Sequence, residues 1–422
     1  LTPATLHRDA GEALIDGLPE NTGTFEDTKA SVQESDSPVA AGLFPWAALL
    51  IMALMGFLLI ATETMPAGLL PQIAAGLNIT EGTAGQFVSA YALGTVVAAM
   101  PTIAMTRGMR RKPVLIVGIL GFLAANLITG FSTDIVLCLG ARLIAGAFSG
   151  LLWGMLAGYA RRITVPEHAG RALSVASLGT PVGLAVGTPF GSWLGTAFDW
   201  RWSFGVLSIL TIITVLLAVF LVPDASGQQA ATRVPLVRVF AIPGVAVVLA
   251  VIVSWMLGHN ILYTYIGSYL RTASLQLPVD VALVTFGAAA IAGIAITGAV
   301  IDKGLRRLVL LSLGSFIAAG VIFTVGHASV PAVIAAIVLW GIAFGGAAAQ
   351  LQTAISAASG ENADVANSML GVAFNLAIFA AGVAGAVAIS SFDGLVLPVV
   401  MAGLAAVALF IAVAGRRTAF PT

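Results

Sequence analysis

The sequence predicts an all-α membrane protein of twelve transmembrane helices arranged as two pseudo-symmetric six-helix halves. Three observations predict it. Hydrophobic residues make up 59% of the 422 and charged residues only 9%, against about 25% charged in a soluble domain. Twelve apolar runs are long enough to cross a bilayer, and one basic motif occurs once in each half of the chain.

A helical span needs about 20 apolar residues. Such runs fall at 44–72, 83–105, 113–131, 135–160, 170–196 and 202–222, and again at 240–269, 279–301, 308–326, 331–357, 365–388 and 394–415. The long polar connection "VPDASGQQAATRVPL" separates the sixth run from the seventh. The chain is therefore divided into a cytoplasmic tail (1–42), an N-terminal half (43–222), a cytoplasmic linker (223–239), a C-terminal half (240–417) and a short C-terminal tail (418–422). The first tail holds Asp9, Glu12, Asp16, Glu20, Glu26, Asp27, Glu34 and Asp36 against Arg8 and Lys29. It is too acidic for a signal peptide and too poor in apolar residues to fold alone, so disorder is expected there. Cys138 is the single cysteine, which excludes an intramolecular disulfide and a cysteine-cluster metal site.

Lys and Arg favour cytoplasmic loops. With the amino terminus inside, the inward loops hold Arg107, Arg110, Arg111, Lys112, Arg161, Arg162, Arg171, Arg233, Arg238, Lys303, Arg306 and Arg307, and Arg416 and Arg417 follow the last run. The outward loops hold only Arg201 and Arg271. Both termini are thus expected on the cytoplasmic side, which requires an even number of spans.

The segment "PTIAMTRGMRR" after the second run matches "GAVIDKGLRR" after the eighth, superposing Arg110 on Arg307. The same offset places Glu63 on Asn260. Repeated halves related by an axis along the membrane normal are one way of building a substrate site at the midplane.

Glu63 is the one acid well inside a run and Arg142 the one base. A charge in hydrocarbon costs several kcal/mol, so each needs compensation. Counted at 1.5 Å per residue, both fall at similar depth in the outer half, and a buried ion pair is the expected compensation. Two readings stay open. The pair is purely structural, or Glu63 changes its proton affinity as its surroundings alternate between wet and dry, which would couple protons to a conformational change. His259, level with Glu63 in the repeat, is a further candidate proton carrier.

Glycines recur every four residues at Gly146, Gly150, Gly154 and Gly158, and at Gly179, Gly183, Gly187, Gly191 and Gly195. Such rows allow close helix approach in lipid, and Pro181 and Pro189 loosen the second row. Polar side chains inside runs of both halves are candidate cavity linings: Gln86, Ser89, Tyr91, Asn126, Asn260, Tyr263, Tyr265, Gln350, Gln352 and Asn375. Taken singly, each is also explained as a helix-to-helix hydrogen bond. No phosphate-binding glycine loop, metal-ligand cluster or nucleophile constellation is visible, so no cofactor, metal, nucleic-acid partner or enzymatic activity is expected.

With these motifs in place, residues 44–417 resemble the major facilitator superfamily, in particular its twelve-helix drug:proton antiporter branch of sugar, chloramphenicol and purine efflux proteins. The family's loop motif fits Gly298, Asp302, Arg306 and Arg307. The first-half copy keeps Gly108, Arg110 and Arg111 but has Pro101 for the glycine and Met105 for the aspartate. Arg142, Gly146 and Gly150 match the fourth-helix motif. Gly183, Gly187, Pro189 and Gly191 match a fifth-helix signature associated with efflux, with Thr188 intervening. "ETMPAGLLP", "YTYIGSYL" and "AFNLAIFAAG" are similar to further stretches of this branch. The resemblance implies the major facilitator fold and a monomer in the cell membrane. It further implies export of a small organic solute in exchange for protons by alternating access, with Arg110, Arg111, Asp302, Arg306, Arg307 and the fifth-helix glycines in gating. Proton-driven uptake on the same fold, or a transporter-like sensor, are the alternatives.

Overall fold

A computed structural model describes residues 44–106, 108–227 and 236–420. The acidic tail, Arg107 and Arg233 lie outside the described residues. Twelve spanning helices account for most of the described residues. They are α1 (Trp46–Thr64), α2 (Glu81–Thr106), α3 (Arg111–Phe131), α4 (Ile135–Arg162), α5 (Pro166–Ala197), α6 (Trp200–Leu221), α7 (Val245–Thr264), α8 (279–303), α9 (305–325), α10 (Val330–Asn362), α11 (Ala363–Ser391) and α12 (Val396–Ala414). Eleven continuous helices become twelve spans because Val279–Val325 is interrupted at Gly304, whose backbone leaves the helical region (φ 169°, ψ 71°).

The first helix of each half breaks at an equivalent point. After Thr64, α1 tightens into a 3₁₀ turn, Met65–Gly68, that contains Pro66, and α7 is interrupted at Tyr265 before resuming over Ile266–Thr272. Pro66 has no N–H to continue the α-helical ladder, which accounts for the first break.

The fifth-helix glycine row has a packing cause. A Cβ on Gly179, Gly183, Gly187, Gly191 or Gly195 would run into Ala53, Phe57, Ala61, Met65 or Leu69 respectively. The register between α5 and α1 is therefore constant, and five glycines in a row let one backbone lie against its neighbour. Between Pro181 and Pro189 the helix widens into a π turn, Gly183–Gly187, the loosening that the prolines predicted. The α4 row behaves differently. Gly146 and Gly150 abut the backbone of α2 around Tyr91 and Thr95, whereas a Cβ on Gly158 would meet nothing within 4 Å.

Alternating helices place Glu81 and Arg271 at one end of the bundle and Arg110, Arg162 and Arg307 at the other. The halves meet through α2 with α11 and α5 with α8. Gln86 donates to the Gly382 carbonyl (3.2 Å) and Ser89 to that of Phe379 (3.2 Å), while Gly287 of α8 lies against Ala185 of α5. These contacts lie toward the Glu81 end. Toward the Arg110 end, Val97 of α2 is 63% exposed and a Cβ on Gly371 of α11 would meet nothing within 4 Å. Leu178 of α5 and Ile294 of α8 are exposed as well. The two halves are thus closed at the Glu81 end and diverge toward the other. The closed end is fastened by an ion pair between Glu81 and Arg271, by a hydrogen bond from Ser268 to Glu81 (2.5 Å), and by Tyr265, which fits between Gly85 and Gly385 and donates to the Gly382 carbonyl (2.6 Å).

Candidate functional site

Glu63 and Arg142 are both buried, and they interact electrostatically. They do not form the direct ion pair that the sequence suggested, because no N–O distance between them is within 4.0 Å. Tyr91 of α2 takes up much of the compensation. Its ring centroid lies 4.6 Å from the Arg142 guanidinium carbon, and its hydroxyl donates to the Leu59 carbonyl on α1 (3.2 Å), one turn before Glu63. A cation over an aromatic face is worth about 2 kcal/mol when desolvated.

The close approach of α4 to α2 makes this possible. Gly146, one turn after Arg142, leaves room for the Tyr91 carbonyl, and Thr95 bridges the helices by donating to both the Tyr91 and the Gly146 carbonyls (3.1 Å each). Arg142 Nε donates to the Phe87 carbonyl (2.9 Å), and Phe204 of α6 stands 5.9 Å away on another side. Nη1 and Nη2 of Arg142 have no hydrogen-bond partner among the described residues. A fully buried guanidinium with two idle nitrogens is poised to receive an anion.

Beside Glu63, Thr64 of α1 and Thr188 of α5 share a hydrogen bond (2.5 Å), and the Tyr263 hydroxyl of α7 lies against both. Thr188, the residue that interrupts the fifth-helix signature, therefore joins elements of both halves next to the buried acid. Sequence reading singled out Tyr263 but not this threonine pair, whose only signal was that both adjoin singled-out positions.

His259 sits in an aromatic cluster. Phe344 stacks on it (centroids 3.5 Å apart, 9° between planes), and Tyr263, Phe286 and Trp340 surround it. Trp340 Nε1 donates to His259 Nδ1 (3.1 Å). An indole N–H is only a donor, so Nδ1 is the acceptor in this bond. These surroundings hold the imidazole as a packed acceptor for the Trp340 indole.

The other cavity candidates divide. Gln86 joins the halves, as above. Asn260 bonds the Met256 carbonyl (2.8 Å) and Asn375 the Gly371 carbonyl (3.1 Å), each within its own helix. Gln350 is buried and donates to Thr297 (3.3 Å) and Ser312 (3.1 Å), joining α8, α9 and α10 instead of facing a space between the halves. Asn126 borders a crevice between α3 and α6, away from the interface between the halves.

In the first loop motif the aspartate that Met105 replaces has a substitute. Asp224, just past α6, accepts from Arg110 Nε (2.6 Å) and from the backbone N–H groups of Lys112 (3.1 Å) and Ala225 (2.8 Å). The Arg111 N–H donates to the Ala225 carbonyl (2.8 Å), and Tyr159 reaches the Pro223 carbonyl (2.8 Å). Partial burial pushes the Asp224 carboxyl up, but these donors outweigh it and hold the group below its usual range. In the second copy, Asp302, Arg306 and Arg307 make no ion pair within 4.0 Å among the described residues, and Gly298 faces open space. No group of three or more His, Cys, Asp or Glu among the described residues is arranged to hold a metal ion.

Twelve membrane helices in two halves, closed at one end and open at the other around buried charges, define a polytopic membrane transporter. The chain belongs to the Major Facilitator Superfamily, whose family model matches residues 52–382. It is 26% identical over 380 residues to a chloramphenicol efflux pump of Mycobacterium tuberculosis, covering 85% of this chain and 90% of that one. It is 30% identical over 248 residues to a chloramphenicol resistance protein of Streptomyces lividans (57% of this chain, 63% of that one). With a probable sugar efflux transporter of Helicobacter pylori it shares 23% identity over 341 residues (80% and 87%). The protein is thus a multi-pass membrane transporter of small molecules, not an enzyme.

Proposed function

We propose that the protein exports a small organic solute from the cell in exchange for protons, by alternating access between halves 43–222 and 240–417 joined by the linker 223–239. It acts as a monomer in the cell membrane with both termini in the cytoplasm. The bias of Arg and Lys toward the Arg110 end supports that orientation, and the open side of the molecule then faces the cytoplasm, where an exporter loads. The observation that carries the reading is the Glu63–Tyr91–Arg142 arrangement. A buried carboxyl lies near a guanidinium that it does not touch, so it gains or loses a proton as the halves move and Arg142 approaches or withdraws.

The names of the relatives favour chloramphenicol or a sugar as the solute. The exporting direction is supported by Gly183 and Gly187, which bound the π turn, and by Pro189 and Gly191 just after it; Ala185 within the turn bears on Gly287 of α8. Arg110, Arg111 and Asp224 at the first loop, with Gly298, Asp302, Arg306 and Arg307 at the second, act in closing the cytoplasmic side.

The test is reconstitution into vesicles with chloramphenicol as the first probe and a panel of sugars after it. Accumulation that requires a pH gradient of the antiport sign supports the proposal. Accumulation independent of the gradient, or driven by the opposite gradient as in uptake, contradicts it.

A further inference from the structure

Two buried polar side chains in the crevice between α3 and α6 behave unlike their neighbours. The threonine hydroxyls of these helices close on a carbonyl one turn back, Thr129 on Ala125 (2.9 Å), Thr211 on Leu207 (2.6 Å) and Thr214 on Leu210 (2.8 Å), and Ser203 donates to Gly191 of α5 (2.7 Å). Ser208, on the same helix as Thr211 and Thr214, has no hydrogen-bond partner for its Oγ among the described residues. The amides of Asn260, Asn367 and Asn375 likewise close on their own helices. Asn126 is fully buried, yet neither its nitrogen nor its oxygen has a hydrogen-bond partner among the described residues.

Both residues border one cavity of about 200 Å³. An unpartnered amide in an apolar setting is costly, and in a bilayer no bulk water relieves it.

The cavity lies on one face of the N-terminal half. Its walls come from α3 and α6 alone, so it stands apart from the surfaces between the halves that open and close in transport. Gly205 supplies a notch, since a Cβ there would meet nothing within 4 Å. Phe131 and Trp202 at its edge are 81% and 59% exposed, and Ile209 and Ile212 farther along α6 are exposed too, which makes this a face turned to lipid. Asn126 lies five residues before the end of α3, about 7–8 Å in at 1.5 Å per residue. Arg201 stands at the rim, at the helix terminus where basic and Trp side chains meet headgroups.

We propose that this crevice binds one glycerophospholipid of the leaflet at the Glu81 end. The Asn126 amide N–H and the Ser208 hydroxyl donate to its ester carbonyls, which lie at that depth. Arg201, which also reaches the Ser132 carbonyl (3.2 Å) and Asp199 (3.8 Å), faces the phosphate. An acyl chain lies over Gly205 between Phe131 and Trp202. Interfacial water that accompanies the esters hydrates the Asn126 oxygen. Phe204 lines the same cavity and stands beside the Arg142 guanidinium, so the lipid braces the wall of the charged site.

The test uses full-length protein in detergent. Native mass spectrometry counts phospholipids retained after washing, and thermal unfolding reads the midpoint shift on adding a diester phosphatidylcholine or its diether analogue. Wild type is expected to retain one lipid more than either Asn126→Leu/Ser208→Ala or Gly205→Leu, and its midpoint should rise more with the diester than with the diether. Gly205→Leu fills the notch while leaving both polar groups in place, so it decides the matter if the double variant fails to fold. Retention by Gly205→Leu equal to wild type, or equal shifts from diester and diether lipid, would overturn the proposal.

Discussion

The guanidinium of Arg142 lies 4.6 Å from the centre of the Tyr91 ring, and the hydroxyl of that ring is bonded to the helix that carries Glu63. The cation is therefore held by an aromatic face and the Phe87 carbonyl instead of by a carboxylate. This leaves Glu63 without an ion-pair partner within 4.0 Å among the described residues, as a group must be if it is to exchange a proton during a cycle.

Tyr91 can be divided experimentally. Tyr91→Phe keeps the ring over Arg142 and loses only the bond to Leu59, a loss of about 1 kcal/mol. Tyr91→Leu also removes the aromatic face, adding about 2 kcal/mol. Thermal unfolding in detergent should rank wild type above Tyr91→Phe and Tyr91→Phe above Tyr91→Leu. Equal stability of the two variants would remove the cation–ring contact from the account.

The α4 glycine row should split in two. A Cβ on Gly146 meets the backbone of α2, so Gly146→Ala must push the helices apart and displace Arg142. Gly158 faces open space, so Gly158→Ala should be neutral or stabilising by about 0.5–1 kcal/mol, the helix-propensity gain of alanine. Unfolding midpoints and transport rates of the two variants check this. A tolerated Gly146→Ala would contradict the described packing.

At the first loop, the Asp224 carboxyl is held below its usual range by its donors. A depressed carboxyl stabilises the fold at pH values above its unfolded pKa, about 3.9, and loses that contribution as pH falls through the lower folded value. Arg110 is largely exposed, so the ion pair adds little and the backbone N–H groups more, together about 1 kcal/mol. Asp224→Asn should therefore be less stable than wild type by a constant margin from pH 8 to 5, shrinking only in strong acid. A margin that disappears already near pH 6 would contradict this.

His259 should prove replaceable by a neutral acceptor. Gln retains an oxygen for the Trp340 indole, so His259→Gln should keep proton coupling, with a modest loss of stability from the vacated ring stack. Loss of proton release in this variant alone would place His259 in the proton path.

The spans, the repeat and the placement of basic residues at one end were legible because hydropathy and charge are written locally along the chain. The α5 glycine row was legible for the same reason, since a four-residue period marks one helix face wherever it packs. The partners of Glu63, Arg142 and Arg110 were not. Pairing two lone buried charges is reasonable from composition, but the depth estimate could not show that Tyr91 of a third helix would stand beside the cation. Asp224 could not be matched to Arg110 across more than a hundred residues by a local motif with a missing aspartate. The polar list likewise could not distinguish Gln86, which crosses between the halves, from Gln350, which binds three helices of one half together.

The central claim is that Glu63 carries the coupled proton, and proton release on adding transported substrate to detergent-solubilised protein near neutral pH tests it most directly. Glu63→Gln keeps the size and hydrogen-bonding capacity of the side chain but not its titration. Wild type should release protons on substrate addition. Glu63→Gln should bind substrate, release none, and lose gradient-driven transport by at least about tenfold, a barrier increase of about 1.4 kcal/mol. Glu63→Asp should retain partial activity. Equal proton release from wild type and Glu63→Gln would place the coupled proton on another group and contradict the account.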